Sequence, residues 1–379
     1  MYSHHKHNGL RHYLKYQAEA ADAASACQLH AEPDPLADLV AVFDLEKMQD
    51  MLKIHDRKSN LHRNHQRFLT YLEGTSGFLR LNPLPLSIFN RLDQLGLRFP
   101  NFVEVIEFYR EQFALALLND TPRFSAAPLL MVGPPGVGKT AFCQALAKLI
   151  GTHFEFVSLS GLTAGFVIGG MSSNWADGKP GRIIEALARS QTANPLIVLD
   201  ELDKGKGDSR YDPFGALYQL LEKETSANFI DEGLEIASDC SHIVWIATAN
   251  DCLGISEPML SRFTLIAVQP PTPEQMKAVL MSIYHKIRHY EGWGLQFEDC
   301  LCADLVEKII GSKLEPRWLQ RELIAACGKA ALRNSPHGGK HRLSVDDFRP
   351  RPHLKRLSRV CSGRMFDSYI RTLIDTGKS

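Results

Sequence analysis

The sequence carries no excess of charge of either sign. Its 379 residues include 43 Lys and Arg and 43 Asp and Glu, a formal net charge of zero. Without a global positive charge, we do not expect a protein that coats DNA or a polybasic membrane binder. A zero net charge is still compatible with a local basic patch.

Long apolar runs and paired cysteines are also absent. No run approaches the roughly 18 residues of a membrane span, and the first residues have no apolar segment typical of a secretory signal. The eight cysteines include no CxxC pair and are predicted to be reduced thiols. These absences predict a cytoplasmic protein without a membrane partner. The His, Cys and Asp residues also show no spacing typical of a catalytic nucleophile.

The chain length predicts two or three compact units. Residues 1–35 contain few large apolar side chains and are predicted to be a disordered tail. Its histidines at positions 4, 5 and 7 have no fixed geometry for a metal. Over residues 36–98, apolar side chains recur at helical spacing among many charges, which predicts a helical N-terminal extension.

Residues 99–270 alternate between short apolar runs and helical patterns. The runs are Pro128–Val132, Phe154–Leu159, Leu196–Leu199 and Ile243–Thr248. Wholly apolar runs of this length are typical of strands buried on both faces. We therefore predict an α/β domain, with a parallel sheet sandwiched by helices.

The pattern changes after residue 270. Thr272-Pro273-Glu274-Gln275 is a capping box with Pro at the first helical position, and a second helix is predicted from Pro316 to Ala331. We therefore predict a small helical domain over residues 271–350, followed by a basic tail over 351–379. From residue 340 onward, ten Lys and Arg stand against four Asp, a net charge of +6. Nucleic-acid contact is one interpretation, but scarce aromatics favour a solvated charged face.

One loop fits the motif G-x-x-x-x-G-K-[ST] in full, between a predicted buried strand and an amphipathic helix. Its residues are Gly133, Pro134, Pro135, Gly136, Val137, Gly138, Lys139 and Thr140. Glycines allow the backbone N–H groups to surround phosphate oxygens, and the helix N-terminus favours the same anion. The motif predicts that Lys139 contacts the β- and γ-phosphates and that Thr140 is a Mg²⁺ ligand. The alternative is a Gly/Pro loop with an incidental lysine.

Two carboxylates follow the apolar run Leu196–Leu199, where ligand sites of α/β sheets lie. We predict that Asp200 orients the Mg²⁺ shell and that Glu201 polarises the attacking water. Asn250 ends another buried run and is either a water-holding residue or a turn-forming one. Arg262 and Arg317 are unremarkable in isolation.

These pieces in this order resemble the AAA+ ATPases, and most closely the ATPase module of Lon proteases. The resemblance covers roughly residues 100–350. Beyond the nucleotide motifs it includes Ala164–Leu187, Pro195–Lys204, Asp212–Glu222, Phe229–Asp231, Leu234–Glu235, Ile255–Arg262 and Pro316–Glu322.

The resemblance implies a P-loop domain with a helical lid, in a self-associated ring of six subunits that binds ATP and Mg²⁺ at each interface. It implies that Asn250 is sensor 1, that Arg262 is the arginine finger of the neighbouring site, and that Arg317 is sensor 2. Trp175 falls at the position of a pore-loop aromatic that grips an extended polypeptide. The loop around Trp175 is longer and more polar than the resemblance leads us to expect. A structural role, in which Trp175 only packs against its own loop, is therefore an equally good interpretation.

The chain also departs from the Lon proteases. About thirty residues follow the lid, with no room for a peptidase domain, and the first hundred residues differ. We therefore expect an ATP-driven remodeller or translocase of a protein partner, without intrinsic proteolysis. The alternatives are a DNA-associated AAA+ motor or loader of a mobile-element or defence system, and an ATPase subunit that feeds a separate peptidase. A scaffold that binds ATP and barely turns it over is a further alternative, which the presence of Glu201, Asn250 and Arg262 disfavours.

Overall fold

The computed structural model describes residues 38–160, 165–205, 214–333 and 340–350. The chain divides into a short unit, Met1–Leu39, and a large unit, Val40–Ser379, which contains the fold and the candidate site. The tails predicted over residues 1–35 and 351–379 lie outside the described residues. In the part that is described, no helix is both long and apolar enough to cross a membrane.

Residues 39–98 form three helices and two short strands. The elements are β1 (Leu39–Ala41), α1 (Leu45–Ile54), α2 (Asn60–Tyr71), β2 (Phe78–Arg80) and α3 (Ile88–Arg98). Side-chain caps explain where two of the helices begin, since Asp44 accepts from the N–H of Lys47 (2.9 Å) before α1 and Ser59 from that of His62 (3.1 Å) before α2. The starts of α1 and α2 are therefore encoded locally, whereas α3 has no side-chain cap.

Residues 129–267 form an alternating α/β segment, preceded by one long helix. In chain order the elements are α4 (Val103–Ala116), β3 (Leu129–Val132), α5 (Lys139–Ile150), β4 (Phe154–Ser158), α6 (Phe166–Gly169), α7 (Arg182–Ser190), β5 (Leu196–Asp200), a 3₁₀ turn (Leu202–Lys204), α8 (Gly215–Leu220), α9 (Lys223–Ser226), β6 (Phe229–Ile230), β7 (Ala237–Ser238), β8 (Val244–Ala249), α10 (Glu257–Leu260) and β9 (Thr264–Ala267).

Five of these strands form a parallel sheet in the order β4-β5-β8-β3-β9. The central strands β3 and β8 are buried along their whole length, and Val132 lies opposite Ala249 at their carboxyl ends. The predicted α/β sandwich is confirmed. The antiparallel pair β6-β7 was not predicted, because two-residue strands are too short to show periodicity.

The extension before α4 packs on both faces of this sheet. Met48 and Phe68 belong to the buried core that contains Trp245 on one face. Ile88 and Leu92 belong to the core that contains Phe142 on the other face. Burial of apolar surface therefore fixes α1 and α2 against one layer of the α/β segment and α3 against the other.

A helical segment with its own core follows the sheet. It consists of α11 (Pro273–Tyr290), a 3₁₀ turn (Gly294–Gln296), α12 (Ala303–Gly311) and α13 (Pro316–Arg333). The predicted capping box is present, since Gln275 N donates to Thr272 Oγ1 (3.3 Å) and Thr272 N to Gln275 Oε1 (2.9 Å). The helical character predicted for this region is confirmed. We refer to α11–α13 as the lid.

Candidate nucleotide-binding site

The glycine-rich loop connects the carboxyl end of β3 to the amino end of α5. Gly136 and Gly138 have φ of +86° and +111°, values that L side chains rarely adopt. A Cβ at Gly133 would collide with the carbonyl oxygen of Val268, so the motif glycines are required by the backbone itself. Helix α5 begins at Lys139, and its N-terminus therefore faces the hollow of the loop.

Lys139 is buried and folds back over its own loop. Its Nζ donates to the carbonyl oxygens of Gly133 and Pro134, the latter at 3.3 Å. Burial lowers the pKa of Lys139 to about 8, although the nearby Asp200 carboxylate acts in the opposite direction. In this conformation two loop carbonyls hold the ammonium group.

The carboxyl ends of β5 and β8 bring acidic and polar groups to the same edge of the sheet. Thr248 Oγ1 donates to Asp200 Oδ1 (2.5 Å) and accepts from the N–H of Glu201 (3.3 Å). Burial raises the pKa of Asp203, in the 3₁₀ turn that follows β5, and the backbone of Asn250 opposes this shift. Thr248 thus orients Asp200 and Glu201, and its position inside an apolar run gave no sign of this role.

Glu201 has a left-handed backbone, with φ of +58° and ψ of +48°. Such a conformation in a residue other than glycine stores strain, which is common at functional sites. Its carboxylate forms an ion pair with Lys204 Nζ (2.7 Å). Hydrogen bonds from Lys204 and then Ser160 lower the pKa of Glu201, so the group is ionised at neutral pH. To act on water, Glu201 has to exchange Lys204 for that water.

The lid contributes two charged groups to this edge. Arg317, at the start of α13, lines the same cleft as Lys139 and Glu201, and its positive charge acts to lower the pKa of both. Glu315 was not predicted. A Cβ built on Gly136 would lie 2.8 Å from Glu315 Oε2, so a lid carboxylate approaches the loop that is expected to bind phosphate. Burial raises the pKa of Glu315, and Arg317 opposes this shift.

A cleft of about 1690 Å³ lies between the loop and the lid. Among the predicted site residues, its lining contains Pro135, Gly136, Val137, Gly138, Lys139, Thr140, Asp200, Glu201, Asn250 and Arg317. The cleft continues along α5 towards the far end of α11, where Lys148 Nζ donates to Tyr290 Oη (3.1 Å). Its volume is sufficient for a nucleoside triphosphate.

Arg262 lies outside this cleft. Its guanidinium forms an ion pair with Glu222 (2.5 Å) and lies 4.9 Å from the ring centroid of Tyr218. Arg262 Nη1 also donates to the carbonyl oxygen of Pro258 (2.5 Å). The fold therefore keeps this arginine apart from the other predicted catalytic residues of its own subunit.

Trp175 also lies apart from the cleft, in the loop formed by residues 171–179, which we call the Trp175 loop. Met171 and Lys179 close the loop with two backbone hydrogen bonds of 2.8 and 3.1 Å. The Trp175 side chain is 60% exposed. A large apolar side chain at the tip of an ordered loop is available for contact with another molecule.

The residues of the cleft suit magnesium without a separate metal cage. Across the described ranges, no three His, Cys, Asp or Glu side chains group closely enough to hold a metal ion. Mg²⁺ bound with a nucleotide usually takes only one or two protein oxygens, together with phosphate oxygens and waters. Thr140 and Asp200, which both line the cleft, supply oxygen donors of this kind.

Comparisons with known proteins agree with this geometry. Residues 129–270 match the ATPase family associated with various cellular activities (AAA). The chain is 31% identical over 265 residues to Lon protease 2 of Desulfotalea psychrophila, covering 69% of this chain and 33% of that protein. It is 34% identical over 238 residues to the Lon protease of Desulfovibrio desulfuricans, covering 62% of this chain and 27% of that protein. It is 33% identical over 221 residues to Lon protease 1 of Bacillus subtilis, covering 57% of this chain and 28% of that protein. The chain thus spans about a third or less of these relatives' length.

Proposed function

The chain carries an AAA ATPase domain similar to the ATPase region of Lon proteases, and from this premise we propose that it binds and hydrolyses ATP in the cleft between the glycine-rich loop and the lid. The observation that carries the proposal is the convergence of Lys139, Glu201, Asn250 and Arg317 on one cleft. Lys139 begins α5, Glu201 and Asn250 directly follow β5 and β8, and Arg317 belongs to the lid. Packing alone does not require that charged and polar groups from four separate elements meet there.

The proposed roles follow from position. The N–H groups of the loop and the α5 N-terminus bind the phosphates, and Lys139 leaves the loop carbonyls to contact the β- and γ-phosphates. Thr140 and Asp200 hold Mg²⁺ when it is bound, and the ion offsets negative charge on the phosphate oxygens. Glu201 accepts a proton from the attacking water, Asn250 orients that water, and Arg317 contacts the γ-phosphate from the lid.

We propose further that the chain self-associates in a ring, with six subunits as the family resemblance implies. The separation of Arg262 from the cleft of its own subunit supports this proposal, because an arginine finger acts on the site of a neighbour. In other phosphoryl-transfer systems such an arginine contributes about 10³–10⁵ in rate. An isolated subunit is therefore expected to hydrolyse ATP slowly.

The proposed partner is a polypeptide that the ring remodels or translocates. The exposed side chain of Trp175 supports this role, because an aromatic ring can grip an extended chain without reading its sequence. The basic tail on which the nucleic-acid alternative depends lies mostly outside the described residues, and that alternative stays a prediction. The cytoplasmic location and the absence of proteolysis by this chain alone also stay predictions.

Steady-state phosphate release tests the ATPase proposal. Glu201→Gln removes the general base but keeps the shape of the side chain, so turnover should fall by about 10²–10⁴-fold while ATP binding persists. Glu46→Gln, on the exposed side of α1, makes the same chemical change away from the cleft and is the matched control. Equal turnover in the wild type and Glu201→Gln would refute the role of this carboxylate.

The partner proposal is tested with a permanently unfolded, carboxymethylated protein as the probe. The probe should stimulate ATP turnover of the wild type, and Trp175→Ala should lose the stimulation while its basal turnover is unchanged. Double-stranded DNA at low salt is the second probe. Stimulation by DNA and none by the unfolded protein would contradict a polypeptide partner and favour the DNA-associated alternative.

A further inference from the structure

Helix α2 contacts the Trp175 loop through a side-chain amide. Asn60 Nδ2 lies 2.5 Å from the carbonyl oxygen of Trp175 and 3.2 Å from those of Ser173 and Ala176. Arg63, one turn further along α2, donates to Asn60 Oδ1 and so fixes the orientation of the amide. The two N–H groups of this one amide are thereby shared among three carbonyl oxygens of the loop tip. These hydrogen bonds define the path of the backbone there.

The same face of α2 continues to the base of the loop. Asn64 Nδ2 donates to the carbonyl oxygens of Gly178 (3.3 Å) and Gly233 (2.9 Å). His65 Nε2 bonds the carbonyl oxygen of Leu234 (2.7 Å). Both side chains are buried, and a buried polar side chain is costly unless it is hydrogen-bonded. An apolar side chain could fill the same space without needing a hydrogen-bond partner. Asn64 and His65 therefore serve to hold the carbonyl groups that they contact.

The turn between β6 and β7 completes the arrangement. Asp231 is fully buried and accepts from the N–H groups of Gly181 (2.8 Å) and Gly233 (2.8 Å). Ser173 Oγ donates to Glu235 Oε1 (2.5 Å). The start of α7, the Trp175 loop and the β6-β7 turn are therefore tied to one another and, through Asn64, to α2.

We propose that α2 of the N-terminal extension sets the position of the Trp175 side chain, with Asn60 and Asn64 as positioning residues that do not themselves touch a partner. One consequence of this inference rests on the proposed function: the extension would control how the ring binds a polypeptide. The positioning itself is a property of the folded subunit. A displacement of α2 would move the loop tip, because the hydrogen bonds of the tip end on α2.

Hydrogen exchange of the Trp175 loop tests the positioning. Asn60→Ala deletes the donor, and Asn60→Asp keeps the shape but sets a carboxylate against three carbonyl oxygens. Both should accelerate amide exchange over residues 171–179 by at least about tenfold, the factor that corresponds to about 1.4 kcal/mol. Gln66→Ala, an exposed change on the same helix, should leave the loop unchanged. Exchange in β3 and β8 should stay slow in every variant, which establishes that the domain is folded.

Turnover assays then separate this inference from the proposed function. Basal ATP turnover should be unchanged in the Asn60 variants, whereas stimulation by the carboxymethylated protein should fall as it does in Trp175→Ala. Unchanged loop exchange in both Asn60 variants would overturn the positioning role. The Asn60 variants could instead show faster loop exchange but full stimulation, while Trp175→Ala loses stimulation. That result would overturn the claim that the extension controls how the ring binds a polypeptide. If Trp175→Ala itself keeps full stimulation, the polypeptide role of Trp175 fails while faster loop exchange still supports the positioning.

Discussion

ATP affinity should depend on pH through Lys139. Burial lowers the pKa of this lysine to about 8, and the phosphates of ATP should raise it again because they favour the charged form. Binding therefore requires the protonated lysine. From linkage, the protonated fraction of the free protein is about nine-tenths at pH 7, about half at pH 8 and about one-tenth at pH 9. The dissociation constant for Mg-ATP should consequently rise about tenfold between pH 7 and pH 9.

Titration calorimetry measures this effect directly. At pH 8, binding should take up about half a proton per ATP, which is obtained from the difference in binding heat between two buffers of unequal ionisation enthalpy. A lysine with the ordinary pKa of 10.5 would take up almost none at this pH. An unchanged dissociation constant from pH 7 to pH 9, with no proton uptake, would refute the assignment of a buried, phosphate-binding lysine.

Three further perturbations follow from the same structure. Glu315→Gln removes a carboxylate beside Gly136 and should tighten ATP binding by about fivefold, or about 1 kcal/mol; weaker binding in calorimetry would contradict a repulsive role. Arg262→Ala and Glu201→Gln should each be nearly inactive in phosphate release, but an equimolar mixture should recover part of the turnover, because one subunit then supplies the arginine and its neighbour the carboxylate. No recovery, in a mixture shown to co-assemble, would argue against a shared site. Burial lowers the pKa of His65 below 6.5, so its contribution to stability is present above pH 6.5 and is lost as the pH falls through the folded-state pKa. Urea titrations from pH 7 to pH 5 should show a smaller loss of unfolding free energy in His65→Gln than in the wild type, and parallel losses would be inconsistent with a buried neutral imidazole.

The sequence was sufficient to predict the sheet and the glycine-rich loop. Strands such as β3 and β8 are buried on both faces, so their apolar runs are visible without knowledge of the neighbours. The loop motif combines backbone requirements with a lysine, and the structure has this loop between β3 and α5 with Gly136 and Gly138 at positive φ. The phosphate-binding role of Lys139 stays a prediction. Local signals were enough in these cases.

Contacts between distant residues were not predictable in this way. Glu315 lies beside Gly136, although about 180 residues separate them along the chain, and a lone glutamate before a helix carries no signal of its own. Asn60 and Asn64 looked like ordinary polar positions of a charged helix. Their partners are backbone carbonyls more than 110 residues away, and backbone groups leave no trace in a sequence pattern. The roles proposed for Arg262 and Trp175 come only from the family resemblance.

Thermal unfolding with and without Mg-ATP tests the nucleotide site most directly. At about 100 times the dissociation constant, a ligand that binds only the folded state adds about 2.7 kcal/mol to its stability. The wild type and Lys47→Ala, which removes an exposed lysine on α1, should therefore melt at a higher temperature when Mg-ATP is present. Lys139→Ala should show no such increase. An equal increase in all three proteins, or none in the wild type, would contradict ATP binding by the glycine-rich loop.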